Sequence, residues 1–472
     1  MATSIQVILN ALENSLAIVK GSVSVTNTAE FRQTVHKLAE MSALETGETQ
    51  GLARYLTRAA ALDLGIVPAS IHELYMAKGS GNVPLTFSVP ALNLRVLTFD
   101  AAKAAFRAAK NLKTNAIIFE IARSEMGYTE QRPAEFTTSV LAAAIAEGYK
   151  GPVFIQGDHF QVSAKRYNTD PETEIEALKA LIRESITAGF YNIDIDTSTM
   201  VDMKQTTVPA QQVLNTQLSA MFTTYIRTVQ PQGITISVGG EIGEVGGHNS
   251  TEEELHAYLD GYSDELNNQI TGIVGLSKIS IQTGTSHGGV VLPDGSIATV
   301  DVDFDTMSRL SAIARKEYHL GGAVQHGAST LPENAFGKFV ESQACEVHLA
   351  TNFMNLFYDQ IPDDLKSEIY SYLDTKFASE RKPDMTDEQF HYKTRKNAIG
   401  PFKAKIWGLP ASFKEEMGQV WESQFSMLFE HLGLKDTHKY VERSIEPVAV
   451  QPNFKTYLGE AAGIEDVSDL AD

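Results

Sequence analysis

Residues 152–158 read PVFIQGD and are followed by His159. A short β-branched and aromatic run that closes on glycine and an acid reads as a buried strand delivering polar groups at its C-terminal end. Working outward, the same texture recurs in PLTFSVPAL from Pro84, NAIIFEI from Asn115, YNIDID from Tyr191, ITISVGGE from Ile234, KISIQTG from Lys278, GAVQHG from Gly322 and EVHLATN from Glu346. Most of these starts lie about 30 to 45 residues apart, the length that a strand, a helix and two loops require. Helical patterns such as FDAAKAAFRAAKNL, TEIEALKALIRESITAG and DTMSRLSAIARKEYH fill the intervals. Eight alternations predict an α/β protein whose parallel strands close into a (β/α)8 barrel. An open doubly wound sheet is the weaker alternative, because VPALNLR after the first run bears no Gly-rich dinucleotide turn.

The flanks differ from this core. Residues 1–80 are Ala- and Leu-rich with few β-branched residues and read as a helical N-terminal prefix. Residues 81–360 hold the barrel, and 361–472 read as a helical C-terminal extension with a polar tail. At 472 residues, 43% of them hydrophobic, the chain has material for a large core. A net charge of −20 disfavours nucleic acid as a partner. No apolar run reaches the roughly 20 residues of a membrane span, and the first residues lack a basic head, so a cytoplasmic protein with no membrane partner is expected. The single cysteine, Cys345, lies in an apolar-flanked run and reads as a buried structural thiol.

In such a barrel the chemistry projects from the C-terminal ends of strands. His159, His287 and His326 follow three different strand runs, each beside glycine, and carboxylates accompany them. Imidazoles and carboxylates converging on one rim form a divalent-metal set, zinc above all. Asp158, next to His159, reads either as a cap of the following helix or as a proton-transfer group beside a ligand. Gly239, Gly240, Gly243, Gly246 and Gly247 read as turn residues or as the hinge of a lid. Gly288 and the Gly327-Ala328-Ser329 turn could bring backbone N–H groups to a phosphate.

Taken in order, GDH, GGEIGEVGG, GTSHGG and QHGAST resemble the blocks of the class II, zinc-dependent fructose/tagatose-bisphosphate aldolase family. The resemblance covers roughly Val83 to Asp359. It implies that His159, His287 and His326 bind Zn2+, with Glu241 as an additional ligand to an alternative metal position, and that Asp158 is the acid/base group. It further implies Gly288, Gly327 and Ser329 around one phosphate, Asn93 and Ser124 around the enediolate and that phosphate, a monovalent cation, a sugar phosphate substrate and a homo-oligomer.

Two departures shape the functional expectation. The family's loop glutamate is replaced by Gly246-Gly247-His248-Asn249, so His248, Glu244 or Glu252 is expected to take the second proton-transfer role. On the eighth strand, His348-Leu349-Ala350-Thr351 stands for the family's Asn-x-Asp-Thr, leaving Thr351 as the phosphate contact. The Lys403 and Lys405 pair before Trp407 resembles a patch that holds a far phosphate in some relatives. The expectation is a lyase that cleaves a ketose phosphate such as fructose 1,6-bisphosphate to dihydroxyacetone phosphate and an aldehyde. An aldolase for another ketose phosphate, a non-catalytic barrel partner of a tagatose-bisphosphate aldolase and a zinc hydrolase are the alternatives.

Overall fold

The structure, a computed structural model, describes residues 4–19, 21–243, 248–285, 292–293, 301–457 and 469–470. Each of the eight strand-like runs holds a strand. These are β4 (Val89–Asn93), β5 (Ile118–Ala122), β6 (Gly151–Gln161), β7 (Asn192–Asp196), β8 (Ser237–Glu241), β9 (Lys278–Ile281), β10 (Ala323–Gln325) and β11 (Glu346–Leu349). Each pairs in parallel with the next, and β11 returns to β4, so the sheet closes. The barrel reading stands and the open sheet is excluded.

The prefix is mostly helical, yet it also contributes strands that the sequence reading did not place. β1 (Leu16–Val19) and β2 (Ser22–Val25) form an antiparallel hairpin, and β3 (Ile66–Ala69) pairs with the first residues of β6, Ile66 opposite Gly151 and Ala69 opposite Phe154. Runs of four residues carry too little periodicity to register as strands. The place of β3 has a physical cause. β7 joins β6 only from Gln156 onward, which leaves residues 151–154 as an open edge that β3 covers. Asn192 seals the junction: its Nδ2 donates to Ala69 O at 3.2 Å and Ile155 O at 3.0 Å, while its Oδ1 accepts from Ile71 N at 2.8 Å.

The helix His72–Gly79 then crosses the N-terminal end of the barrel. Tyr75, fully buried, donates its hydroxyl to Glu346, the first residue of β11. Gly321, just before β10, has no room for a Cβ against the Tyr75 side chain and the Cys345 sulfur. Cys345 itself is buried as expected, and burial raises its thiol to about 12.

The C-terminal extension is held against the first βα unit. The helix Thr98–Leu112 buries Ala101, Ala102, Ala104, Ala105, Ala108 and Ala109, and these short side chains let other helices approach it closely. The helix Ala411–His431 packs on it and brings Trp421 to 0% exposure, with Nε1 donating to Phe353 O at 3.1 Å. No helix among the described residues is long and apolar enough to cross a membrane.

His72 gives a pH test of the prefix. Burial, reinforced by the charge of Arg227, lowers its imidazole to about 4. The folded state therefore keeps His72 neutral, whereas the unfolded chain takes up a proton below about pH 6.5. Stability from this group is complete above that pH and is lost as pH falls toward 4, by roughly 3 kcal/mol. Urea unfolding of His72→Gln across this window should lack that part of the wild-type decline; parallel pH profiles would show that the group contributes nothing.

Candidate metal centre

Because side chains alternate along a strand, residues two apart share the barrel interior. In this chain those positions are polar. Lys278 of β9 donates to Gln156 Oε1 at 2.8 Å and Asp194 Oδ2 at 2.9 Å, and also to Glu346 Oε1. Gln156 Nε2 in turn donates to Glu120 Oε2 and Glu346 Oε1, each at 2.9 Å. Gly239 is glycine because a Cβ there would collide with Asp194 and Lys278, and at Gly240 it would collide with the Tyr258 hydroxyl. Both lie within β8, neither with a positive φ, so the turn or hinge reading of these two glycines is corrected: they make room. Gly246 and Gly247 lie outside the described residues.

Alternation would place only one of the neighbours Asp158 and His159 at the centre. A bulge changes this. The β6–β7 register shifts between Gly157 and Phe160, and His159 adopts φ +38°, a left-handed conformation unfavourable for a side-chain-bearing residue. Gly157 admits the Phe160 ring, which a Cβ would strike. Both acid and imidazole are thereby brought into one cluster. Asp158 caps no helix; Ser163 caps the next one, its side chain accepting from Arg166 N.

His159, Glu241 and His326 converge, each with a ligand atom within 4.8 Å of the others. His326 Nε2 is 3.2 Å from Glu241 Oε1 and 2.9 Å from Ser280 Oγ. His159 Nδ1 is 3.2 Å from Asp196 Oδ2, and Asp196 is fixed by Gln161 Nε2 at 2.7 Å and by Ser198 Oγ at 2.6 Å. A carboxylate behind one ring nitrogen is how a metal-binding histidine is oriented, and the same Nδ1 lies 3.5 Å from Glu241 Oε1. Glu241 Oε1 is buried with no hydrogen-bond partner among the described residues. Burial raises its carboxyl to about 8, His159 opposing. Two imidazoles and a carboxylate lacking a donor fit a divalent cation of the zinc type. Burial pushes Asp158 upward too, but His159 and His348 override it and hold the carboxyl well below its usual range.

Asn93 Nδ2 donates to Glu125 Oε2 at 2.6 Å and lies 3.5 Å from Asp158 Oδ2. Ser124 is buried beside Glu125 at the start of the helix Arg123–Tyr128. Gly327 has φ +68°, and two residues on Ser329 Oγ accepts from Asn352 N at 3.4 Å, next to Thr351. The ends of β10 and β11 thus meet where barrels of this kind bind phosphate. His287, Gly288 and Glu244 lie outside the described residues.

Other expected residues stand elsewhere. His248 is exposed, its Nε2 2.6 Å from Glu254 Oε1 at the start of the helix Glu252–Gln269, an interaction outside the cluster. Glu252 pairs with Arg309 at 2.8 Å. Lys403 is held by Glu135 at 3.0 Å and Lys405 by Glu368, so carboxylates already engage the cations of the expected far-phosphate patch.

The residue that sequence reasoning missed is His348. Its ring stacks on His326 at 4.0 Å, and Nδ1 lies 3.1 Å from Glu120 Oε1 and 3.2 Å from Asp158 Oδ1. The signal was present: EVHL puts Glu346 and His348 on one face of a strand, as IFEI and NIDID put Glu120, Asp194 and Asp196.

A closed (β/α)8 barrel with a buried imidazole and carboxylate cluster at one end of its strands is an architecture for metal-assisted chemistry. The family model "Fructose-bisphosphate aldolase class-II" matches residues 85–405, and the chain belongs to this family. No curated protein sequence matches it. Among solved structures it is similar to a probable tagatose 6 phosphate kinase from Sinorhizobium meliloti 1021 (14% identity, 79% of this chain and 97% of that one, TM-score 0.49). It is similar also to fructose-bisphosphate aldolase from Campylobacter jejuni (14%, 79% and 96%, 0.45). A third is fructuronate-tagaturonate epimerase from Cohnella laeviribosi (12%, 91% and 89%, 0.46).

Lys278 neutralises two buried carboxylates, so Lys278→Met should lower the unfolding free energy by about 3–5 kcal/mol. Adding Glu346→Gln should recover part of that loss, as coupled neighbours do. A single-variant loss under about 1 kcal/mol in urea unfolding would show that the ionic centre is not stabilising.

Proposed function

We propose that the protein is a metal-dependent aldolase that reversibly cleaves a ketose phosphate to dihydroxyacetone phosphate and an aldehyde. The observation that carries this reading is the convergence of His159, Glu241 and His326, with Asp158 alongside, at the ends of separate strands in a chain of this family. A divalent cation, with Zn2+ as the expected one, supplies when bound the positive charge that polarises the substrate carbonyl. His159, Glu241 and His326 would hold it, and the family pattern adds His287.

The rest falls to the chain. Asp158, brought beside His159 by the bulge in β6, accepts the proton of the C4 hydroxyl. As that O–H bond breaks, C4–O becomes the aldehyde carbonyl, the C3–C4 pair moves to C3, and the electrons delocalise toward the C2 oxygen as an enediolate. A proton from solvent added at C3 completes dihydroxyacetone phosphate, and Asp158 releases to solvent the proton it took. In the reverse direction Asp158 returns its proton to the aldehyde oxygen. Asn93 Nδ2, near Asp158 Oδ2, is placed to donate to substrate oxygen. Gly327, Ser329 and Thr351 at the ends of β10 and β11 would hold the phosphate, with Gly288 expected there from the sequence.

A singly phosphorylated ketose fits better than a bisphosphate. Lys403 and Lys405 are engaged by carboxylates, and segments 244–247 and 286–300 contain no Lys or Arg to receive a second phosphate. We further propose that the protein works as a homo-oligomer.

Chelation should abolish cleavage and zinc should restore it. Asp158→Asn should keep the cation held by His159, Glu241 and His326 while kcat falls by about 10²–10⁴. A panel of singly and doubly phosphorylated ketoses, including tagatose-configured sugars, should show release of a triose phosphate and an aldehyde, with higher kcat/KM for the monophosphates. Full activity in metal-free protein, or no cleavage of any ketose phosphate, would overturn the reading.

A further inference from the structure

We propose that Glu120, Asp158 and His348 form a second divalent-cation site beside the one built by His159, Glu241 and His326. This concerns how many cations the barrel holds and does not require the proposed reaction. His348 Nδ1 is 3.1 Å from Glu120 Oε1 and 3.2 Å from Asp158 Oδ1. Adjacent ligand atoms of an octahedral cation, each about 2.1 Å from it, stand about 3.0 Å apart, so the two separations from His348 Nδ1 match edges of such a site.

The same three atoms are unsatisfied. Glu120, Asp158 and His348 are 0%, 5% and 4% exposed. Glu120 Oε1, Asp158 Oδ1 and His348 Nδ1 each have no hydrogen-bond partner among the described residues, although Nδ1 lies near both oxygens. One ring nitrogen this close to two buried carboxylate oxygens is costly unless a proton or a cation lies among them.

Each ligand is also held from behind. His348 Nε2 lies 2.6 Å from Glu346 Oε1, which makes Nε2 the protonated nitrogen and Nδ1 the coordinating one. Gln156 Nε2 grips the other oxygen of Glu120 at 2.9 Å. Asp158 Oδ2 faces Asn93, so Asp158 could ligate through Oδ1 and still accept a proton at Oδ2. His326 sits between the two positions, its ring 4.3 Å from that of His159 and 4.0 Å from that of His348.

The test uses the full chain, stripped by chelation and reloaded with Mn2+. Metal analysis should give two manganese ions per chain, and the electron paramagnetic resonance spectrum should show spin coupling between them. His348→Asn and, independently, Glu120→Gln should each drop the content to one ion and abolish the coupling, with folding verified by thermal melting. One ion per wild-type chain, as a protonated His348 bridging the two carboxylates would give, overturns the proposal. So does a folded His348→Asn protein that retains both ions. Two ions without ketose-phosphate cleavage would defeat the proposed reaction and leave this site standing, whereas one ion with cleavage would do the reverse.

Discussion

An ammonium group stands where a (β/α)8 barrel ordinarily packs layers of branched aliphatic side chains. Lys278 meets Asp194, Glu346 and Gln156 at the centre of the closed sheet, drawing together β6, β7, β9 and β11. Taking a lysine and carboxylates out of water costs several kcal/mol per ion and is repaid only when every charge finds a partner. That condition reaches outward through the structure. It demands glycine at 239, where any side chain would displace Asp194, and a glutamine at 156 that can donate to two carboxylates while accepting from Lys278.

Above this ionic floor the candidate centre depends on a local violation of strand geometry. A regular β6 would send Asp158 and His159 to opposite faces. The bulge and the left-handed backbone at His159 remove that alternation. Such a conformation costs of order 1–3 kcal/mol and persists only where surrounding contacts enforce it. Here Phe160 occupies the space left by Gly157 and Asp196 holds the His159 ring. Strain confined to the residue that presents an imidazole beside Glu241 and His326 is what a preorganised site requires.

The barrel was legible in the sequence because each strand is a compact β-rich run bounded by turn residues. The site was legible in part because its histidines follow those runs beside glycine. Three features escaped for distinct physical reasons. The strands of the prefix are four residues long, and β3 exists only because β7 starts late against β6, a tertiary cause that no local pattern records. The bulge is invisible in the letters GDHF, which suit a regular strand equally well. His348 was read as the loss of a binding block, because comparing a strand with an expected motif draws attention to what is missing. Its period-two relation to Glu346 was the overlooked sign that both share the interior.

Glu346 connects the parts of the molecule that seem most remote from one another. One of its oxygens accepts from the Tyr75 hydroxyl of the prefix, and the other from Lys278 and Gln156 and faces His348 Nε2. The helix His72–Gly79 is therefore two hydrogen bonds away from the ring that stacks on His326. Were Tyr75 withdrawn, Glu346 would lose its donor at Oε2 and rest on Lys278 and Gln156 at Oε1 alone. The prefix closes the N-terminal end of the barrel and reaches, through Glu346, the histidine of its eighth strand. An extension that resembles an appendage in the sequence is, by its contacts, an outer support of the buried imidazole and carboxylate cluster.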